Sequence, residues 1–238
     1  FHGSVLYKCA MRSIDDRAAR APFGKIKLTI EYDGTNFQGW QRQAPGIPTV
    51  QGYVEEALEK LLGEKTTIWG AGRTDSGVHA FGQVAHFIPT RDMTGFNLQH
   101  ALLALLPHAI AVKKVEKVSP RFHSQISATS KTYVYRIWNS PVPSALWAKR
   151  SLWIRKPLNL ERLNEAAQHF VGTHDFNALR SEGSEVPTTV RTINWAKWEQ
   201  VGEFIEFSVN GSGFLRQMVR NLVGTQIQIE MGHRTMDS

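Results

Sequence analysis

Alternation opens the readable part of the chain. In "KIKLTIEYDG", from Lys25, the apolar residues Ile26, Leu28 and Ile30 recur at every second position, the period of a half-buried strand, and Asp33-Gly34 closes it in a turn. The period then changes. After the Gly-, Pro- and Gln-rich loop "NFQGWQRQAPGIP", the segment "TVQGYVEEALEKLLG" sets Val50, Val54, Ala57, Leu58, Leu61 and Leu62 on one helical stripe, with Thr49 as N-cap and Gly63 as the C-terminal stop. "TTIW" and "GQVAHFI" read as the second and third strands, "FNLQHALLALLP" as a short helix stopped by Pro107, and "AVKKVEKV" as a further strand.

The second half follows a similar order. "KTYVYRIWN" is an aromatic strand, "SPVPSALWAKR" a proline-broken loop and "SLWIR" a short strand. "NLERLNEAAQHFVG" predicts a helix capped by Asn159 and stopped by Gly172. "TINWAKWEQVGEFIEFSVNG" predicts a strand pair turning at Val201-Gly202. "FLRQMVRNLVGTQIQI" predicts a helix with Phe214, Met218, Val219 and Leu222 near one face. The order of elements indicates two α+β halves joined near residues 120–130, without a repeat at the level of sequence.

Composition narrows what such a chain does. With 238 residues, 42% of them hydrophobic and 21% charged, it is long enough for a substantial core and reads as a soluble globular protein. No apolar run approaches the roughly 18–20 residues of a membrane span. Cys9 is the one cysteine, which rules out an internal disulfide framework and a thiolate zinc site and points to a reducing compartment. The formal net charge of +7 favours a polyanionic partner, of which nucleic acid is the commonest. The chain starts on Phe1; residues 1–24 read as an extension or leader, with Asp15 and Asp16 unlike a transit peptide.

Candidate chemistry gathers in three places. "AGRTDSGVHA", residues 71–80, lies between the second and third strands. Its glycines permit close backbone approach. Arg73 and Asp75, two apart, point the same way if the stretch is extended. A carboxylate beside a guanidinium stays ionised, as a nucleophile or base requires; the competing reading is a structural aspartate in a turn. His79 and His86 are too few and too widely spaced for a metal cluster and read as core or hydrogen-bonding histidines. "TSKTYVYRIWN" places Lys131, Tyr133, Tyr135 and Ile137 on one strand face, suited to stacking a base or simply to a hydrophobic sheet. In "GSGFLRQMVRN", Arg216 and Arg220 stand four apart on one expected helical face, as phosphate contacts or as an ordinary charged surface. No P-loop, dinucleotide fingerprint or nucleophile elbow is present.

Together, "EYDGTNFQGWQRQ", "VQGYVEEAL", "GAGRTDSGVHAFGQVAHF", "FHSQISATSKTYVYRIWN", "GTHDFNAL" and "GFLRQMVRNLVG" resemble, in order, the tRNA pseudouridine synthase A family over residues 25 to 230. The resemblance implies isomerisation of uridine to pseudouridine at positions 38 to 40 of the tRNA anticodon stem-loop, with no metal or organic cofactor. It implies an α+β fold: two similar halves forming a mixed, mostly antiparallel central sheet, helices packed on it, and a basic cleft between the halves. Domains are expected at 25–125, carrying the GRTD loop, and 126–238. The implied partners are tRNA and a second copy of the chain, with no membrane. The implied location is the cytoplasm, or an organelle if residues 1–24 are a leader remnant. By motif position Asp75 matches the catalytic aspartate, Arg73 the arginine paired with it, and Tyr133 the tyrosine packed on the target base; Arg216 and Arg220 would contact RNA.

Two departures accompany the resemblance. Relatives continue beyond the "VRNLVG" helix into another helix and a strand with a Gly-Leu pair, and residues 1–11, "FHGSVLYKCAM", are expected to stand in for that strand. Gln217 occupies a position where histidine or asparagine is common. The rival readings are a catalytically idle RNA-binding relative and a glycoside-type hydrolase; the latter needs a second carboxylate that the motifs do not offer.

Overall fold

The computed structural model describes residues 5–11, 23–93, 97–181 and 186–235, and the chain divides into two units. One holds the described residues of Tyr7–Thr129, the other those of Phe1–Leu6 and Ser130–Ser238. Among the described residues there are ten strands and four α-helices, and every defined strand register is antiparallel except one parallel pair. This is the expected α+β class with a mixed, mostly antiparallel sheet.

In the unit of Tyr7–Thr129 the period-two pattern becomes β2 (Lys25–Tyr32), which buries Ile26, Leu28, Ile30 and Tyr32. β2 lies between β4 (His79–Phe87) and β5 (Ile110–Val118). β1 (Val5–Met11), from the stretch expected to supply a strand, lies beside β4. The edge strand β5 carries a bulge between the pairs Thr29–Lys114 and Ile30–Val112. α2 (Leu98–Leu105) packs on β5, and its Gln99 amide donates to the Val112 and Lys113 carbonyls at 3.0 and 2.9 Å.

α1 (Val50–Leu62) forms as its stripe predicts. Thr49 Oγ1 accepts from the Gly52 amide at 3.3 Å, and Gly63 ends the helix with φ +77°. The same helix also buries Gln51 and Glu55, which lie outside the apolar stripe. Glu55 Oε1 accepts from the Ile68 amide at 3.0 Å, and Gln51 Nε2 donates to the Ile68 carbonyl at 3.1 Å. The strand expected at "TTIW" is therefore reduced to β3 (Trp69–Gly70), since the backbone groups of Ile68 are taken by helix side chains. Arg42 closes this network on Glu55 Oε2 at 2.6 Å.

In the second unit β6 (Ala128–Asn139) pairs antiparallel with β10 (Phe204–Gly211) and parallel with the short β7 (Leu152–Ile154). β9 (Val190–Val201) follows β10 and carries β8 (Gly172–Asp175) at one end. α3 (Leu160–Gln168) starts at Asn159 as expected but ends at His169; Gly172, with φ +112°, opens β8 rather than stopping the helix. Beyond the reach of β8, Asn164 of α3 serves both backbone groups of Trp198, at 2.9 and 3.0 Å. α4 (Met218–Glu230) packs against α3, and its buried Gln226 accepts from Trp198 Nε1 at 2.7 Å. Phe214 to Gln217 fall outside this helix, a correction to the expected start, because Gln217 adopts a left-handed conformation with φ 58°.

Candidate active site

The loop holding Asp75 sits in the unit of Tyr7–Thr129 and is built against residues 37–40. The Trp40 amide donates to the Thr74 carbonyl at 3.0 Å and the Gly77 amide to the Phe37 carbonyl at 3.3 Å. Within the loop, the Val78 amide donates to the Asp75 carbonyl at 3.1 Å, a tight turn that Gly77 permits with φ +77°. Gly39 makes the close approach possible. A Cβ there would stand 2.6 Å from the Thr74 oxygen, and its φ is +91°. Trp40, fully buried against Tyr32 at 6.1 Å between rings, anchors the bracing segment.

Along 72–75 the chain alternates in burial. Thr74 is buried, Arg73 exposed and Asp75 half-buried. Both expected reactive side chains therefore emerge on the open side, as an extended stretch requires. The expected pairing between them is not formed: among the described residues no ion pair joins Arg73 to Asp75. The Asp75 carboxylate is thus held by its backbone and not by a neighbouring cation.

In the other unit Tyr133 lies on β6 opposite Val209 of β10, on the face that buries Tyr135 and Ile137 farther along. Its ring meets Phe214 edge-on, centroids 4.9 Å apart. Sequence reasoning placed Phe214 on a helix and missed this contact. The turn that makes it starts at Gly211, where the β9–β10 register shifts and an added Cβ would stand 2.6 Å from the Thr192 oxygen. Arg216 precedes α4 and Arg220 lies in its first turn, so the expected shared helical face is not formed. Arg216 is exposed, its carbonyl held by the Ser181 amide at 3.2 Å, and Ser181 Oγ donates to Gln217 Oε1 at 2.8 Å.

The two histidines are buried in β4, at its start and near its end. His79 Nδ1 lies 3.0 Å from Asp33 Oδ1 and 3.2 Å from the Gly34 amide. His86 stacks under Trp69 at 5.3 Å, and its Nδ1 meets the Ser124 hydroxyl at 2.9 Å and amide at 3.2 Å. Burial, aided by the positive charge of Lys25 and the proximity of His123, pushes the His86 imidazole down to about 3. Between that value and its ordinary 6.5 the unfolded chain binds a proton that the folded chain does not, so stability falls as pH drops through this window. The loss is at most about 1.4 kcal/mol per pH unit. Urea denaturation from pH 7 to 4 is expected to show this slope, and His86→Phe to flatten it; equal slopes in both proteins would exclude His86 as its source.

A family model described as tRNA pseudouridine synthase matches residues 28–125 and 166–238. A tRNA pseudouridine synthase A of Acetivibrio thermocellus is 44% identical over 207 residues, covering 87% of this chain and 84% of the relative. The protein of that name from Ruminiclostridium cellulolyticum is 45% identical over 209 residues, covering 87% and 85%. That from Bdellovibrio bacteriovorus is 44% identical over 211 residues, covering 87% and 80%.

Proposed function

Given that the chain belongs to the tRNA pseudouridine synthase family, we propose that it converts uridine to pseudouridine at positions 38 to 40 of the anticodon stem-loop, with Asp75 as the reacting carboxylate. The observation that carries this reading is the loop itself. Its backbone is fixed on both sides of Asp75 by the Trp40–Thr74 and Gly77–Phe37 hydrogen bonds, while the side chain is left half-buried. A carboxylate held in this way reaches a sugar without the loop having to reorganise.

The target base is stacked within RNA and must first leave the stack, which costs a few kcal/mol. Arg73, exposed beside Asp75, supports the opened stack. The N1–C1′ bond then breaks, with Asp75 acting on the sugar by attack at C1′ or by removal of the C2′ proton. The freed uracil turns so that C5 faces C1′, held against the ring of Tyr133. The C5–C1′ bond forms, C5 gives up its proton and N1 takes one. Atoms and electrons balance within the tRNA, so the isomerisation consumes no oxidant and no co-substrate. Arg216 and Arg220 bind phosphates at the second unit. A homodimer working in the cytoplasm completes the proposal. Among the described residues no helix is long and apolar enough to cross a membrane.

The test is tritium release from tRNA labelled at uridine C5, run beside the same tRNA with cytidine at 38 to 40. Release from the first and not the second is expected. Release from both would overturn the positional assignment. Binding without release from either would favour the RNA-binding relative.

A further inference from the structure

Residues 72 and 74, which flank Arg73 and lead into Asp75, are held from beneath by two side chains that lie within the matching segments but carry no role by motif position. The Tyr32 hydroxyl lies 2.7 Å from Thr74 Oγ1, both residues being buried. Gln83 Nε2 donates to the Gly72 carbonyl at 2.7 Å, and Gln83 is fully buried. Both come from the paired strands β2 and β4. Their register shifts at this point: Ile30 faces Gln83, but Tyr32 faces Ala80. An extra residue in one strand re-aims side chains and is typical beside functional sites. Here the shift accompanies two polar tips aimed from the floor of the sheet at the same loop.

We propose that Tyr32 and Gln83 form a clamp that fixes the Arg73–Asp75 segment in its reactive geometry, Tyr32 being a positioning residue for the aspartate. The inference rests on the reading of Asp75 as the reacting group. With the Trp40 amide on the Thr74 carbonyl, Thr74 is held by both its side chain and its backbone. Thr74 pinned inward leaves the neighbouring positions 73 and 75 directed outward, so their aim depends on the depth of Thr74. Burial raises the pKa of the Tyr32 phenol, which therefore stays a hydroxyl at any working pH. A displacement of about 1 Å at a reacting group costs on the order of 100-fold in rate, whereas substrate affinity, set by other contacts, is spared.

Tyr32→Phe keeps the ring against Trp40 and removes only the hydroxyl; Thr74→Val removes the other partner at nearly constant volume. Each is expected to lower kcat by about 10- to 100-fold with KM for tRNA unchanged within about twofold. The double variant should be no worse than the more impaired single one, since both remove one interaction. Thr74→Ser, which restores the hydroxyl, should recover most of kcat. Exchange of the Trp40, Gly77 and Val78 amides should rise by about tenfold in Tyr32→Phe, because the loop they close has lost its floor. A variant that melts earlier yet turns over normally when folded would overturn the clamp and leave a merely structural hydrogen bond. If the parent chain releases no tritium, the functional reading fails, and the clamp is judged on exchange alone: unchanged amide protection in Tyr32→Phe would overturn it as well.

Discussion

Asp75→Asn is expected to abolish tritium release, by about 1,000-fold or more, and to leave tRNA affinity within about threefold. The substitution is nearly isosteric. Among the described residues its side chain makes no hydrogen bond and no ion pair, and the Asp75 contact that shapes the turn is its backbone carbonyl, which accepts from the Val78 amide. A structural aspartate would behave differently. Its loss would loosen the loop and lower thermal stability, with turnover following the folded fraction. The comparison that decides is therefore single-turnover release at saturating enzyme, with a thermal melt of the same preparation. Equal melting and absent release support a reacting carboxylate; a lowered melting temperature with proportionate release would make Asp75 a turn residue.

Gly39→Ala is expected to damage both fold and turnover: about 3 kcal/mol of stability and on the order of 100-fold in kcat. Two costs coincide there. A non-glycine residue at φ +91° is strained, and the new Cβ would stand 2.6 Å from the Thr74 oxygen and 3.2 Å from the Asp75 carbonyl carbon. Both obstacles are backbone, so relief requires the Asp75 loop itself to move. Gly46→Ala is the internal control. Gly46 has a similar φ of +85°, but nothing lies within 4 Å of its Cβ position. It should show the conformational cost alone, about 1 kcal/mol, with turnover intact. Urea denaturation and tritium release on the pair separate strain from displacement. Equal effects at the two glycines would mean that the close approach contributes nothing.

The parts of the fold that were legible are those whose side chains act on their own element. α1 could be read from its stripe and its two caps, and β2 from alternation, because burial and capping are local in sequence. The strand expected at "TTIW" failed for a non-local reason, namely that Gln51 and Glu55 reach across to satisfy Ile68. The start of α4 failed because one residue, Gln217, takes a conformation that its type rarely adopts, which separated Arg216 from Arg220. The candidate site divides in the same way. Asp75 and Arg73 in one unit and Tyr133 in the other were singled out as candidates by motif position. The side chains that touch their loop or ring, Tyr32 on Thr74, Gln83 on Gly72 and Phe214 on Tyr133, look like ordinary strand and helix residues in the sequence. Only a register shift and a close turn give them their aim. A buried polar residue at an inward strand position, such as Gln83, is the signal that could have been noticed.

An open sheet edge invites another chain to extend it, and β5 is such an edge. Its bulge falls at Lys113, and Gln99 occupies the carbonyls of Val112 and Lys113, removing acceptors that an incoming strand would need. Lys113, Lys114 and Lys117 add a row of half-exposed cations tied to Glu31, Glu116 and Asp92. A second copy docking here would have to break those pairs and set lysine against lysine. Edge-to-edge aggregation through β5 is thereby disfavoured.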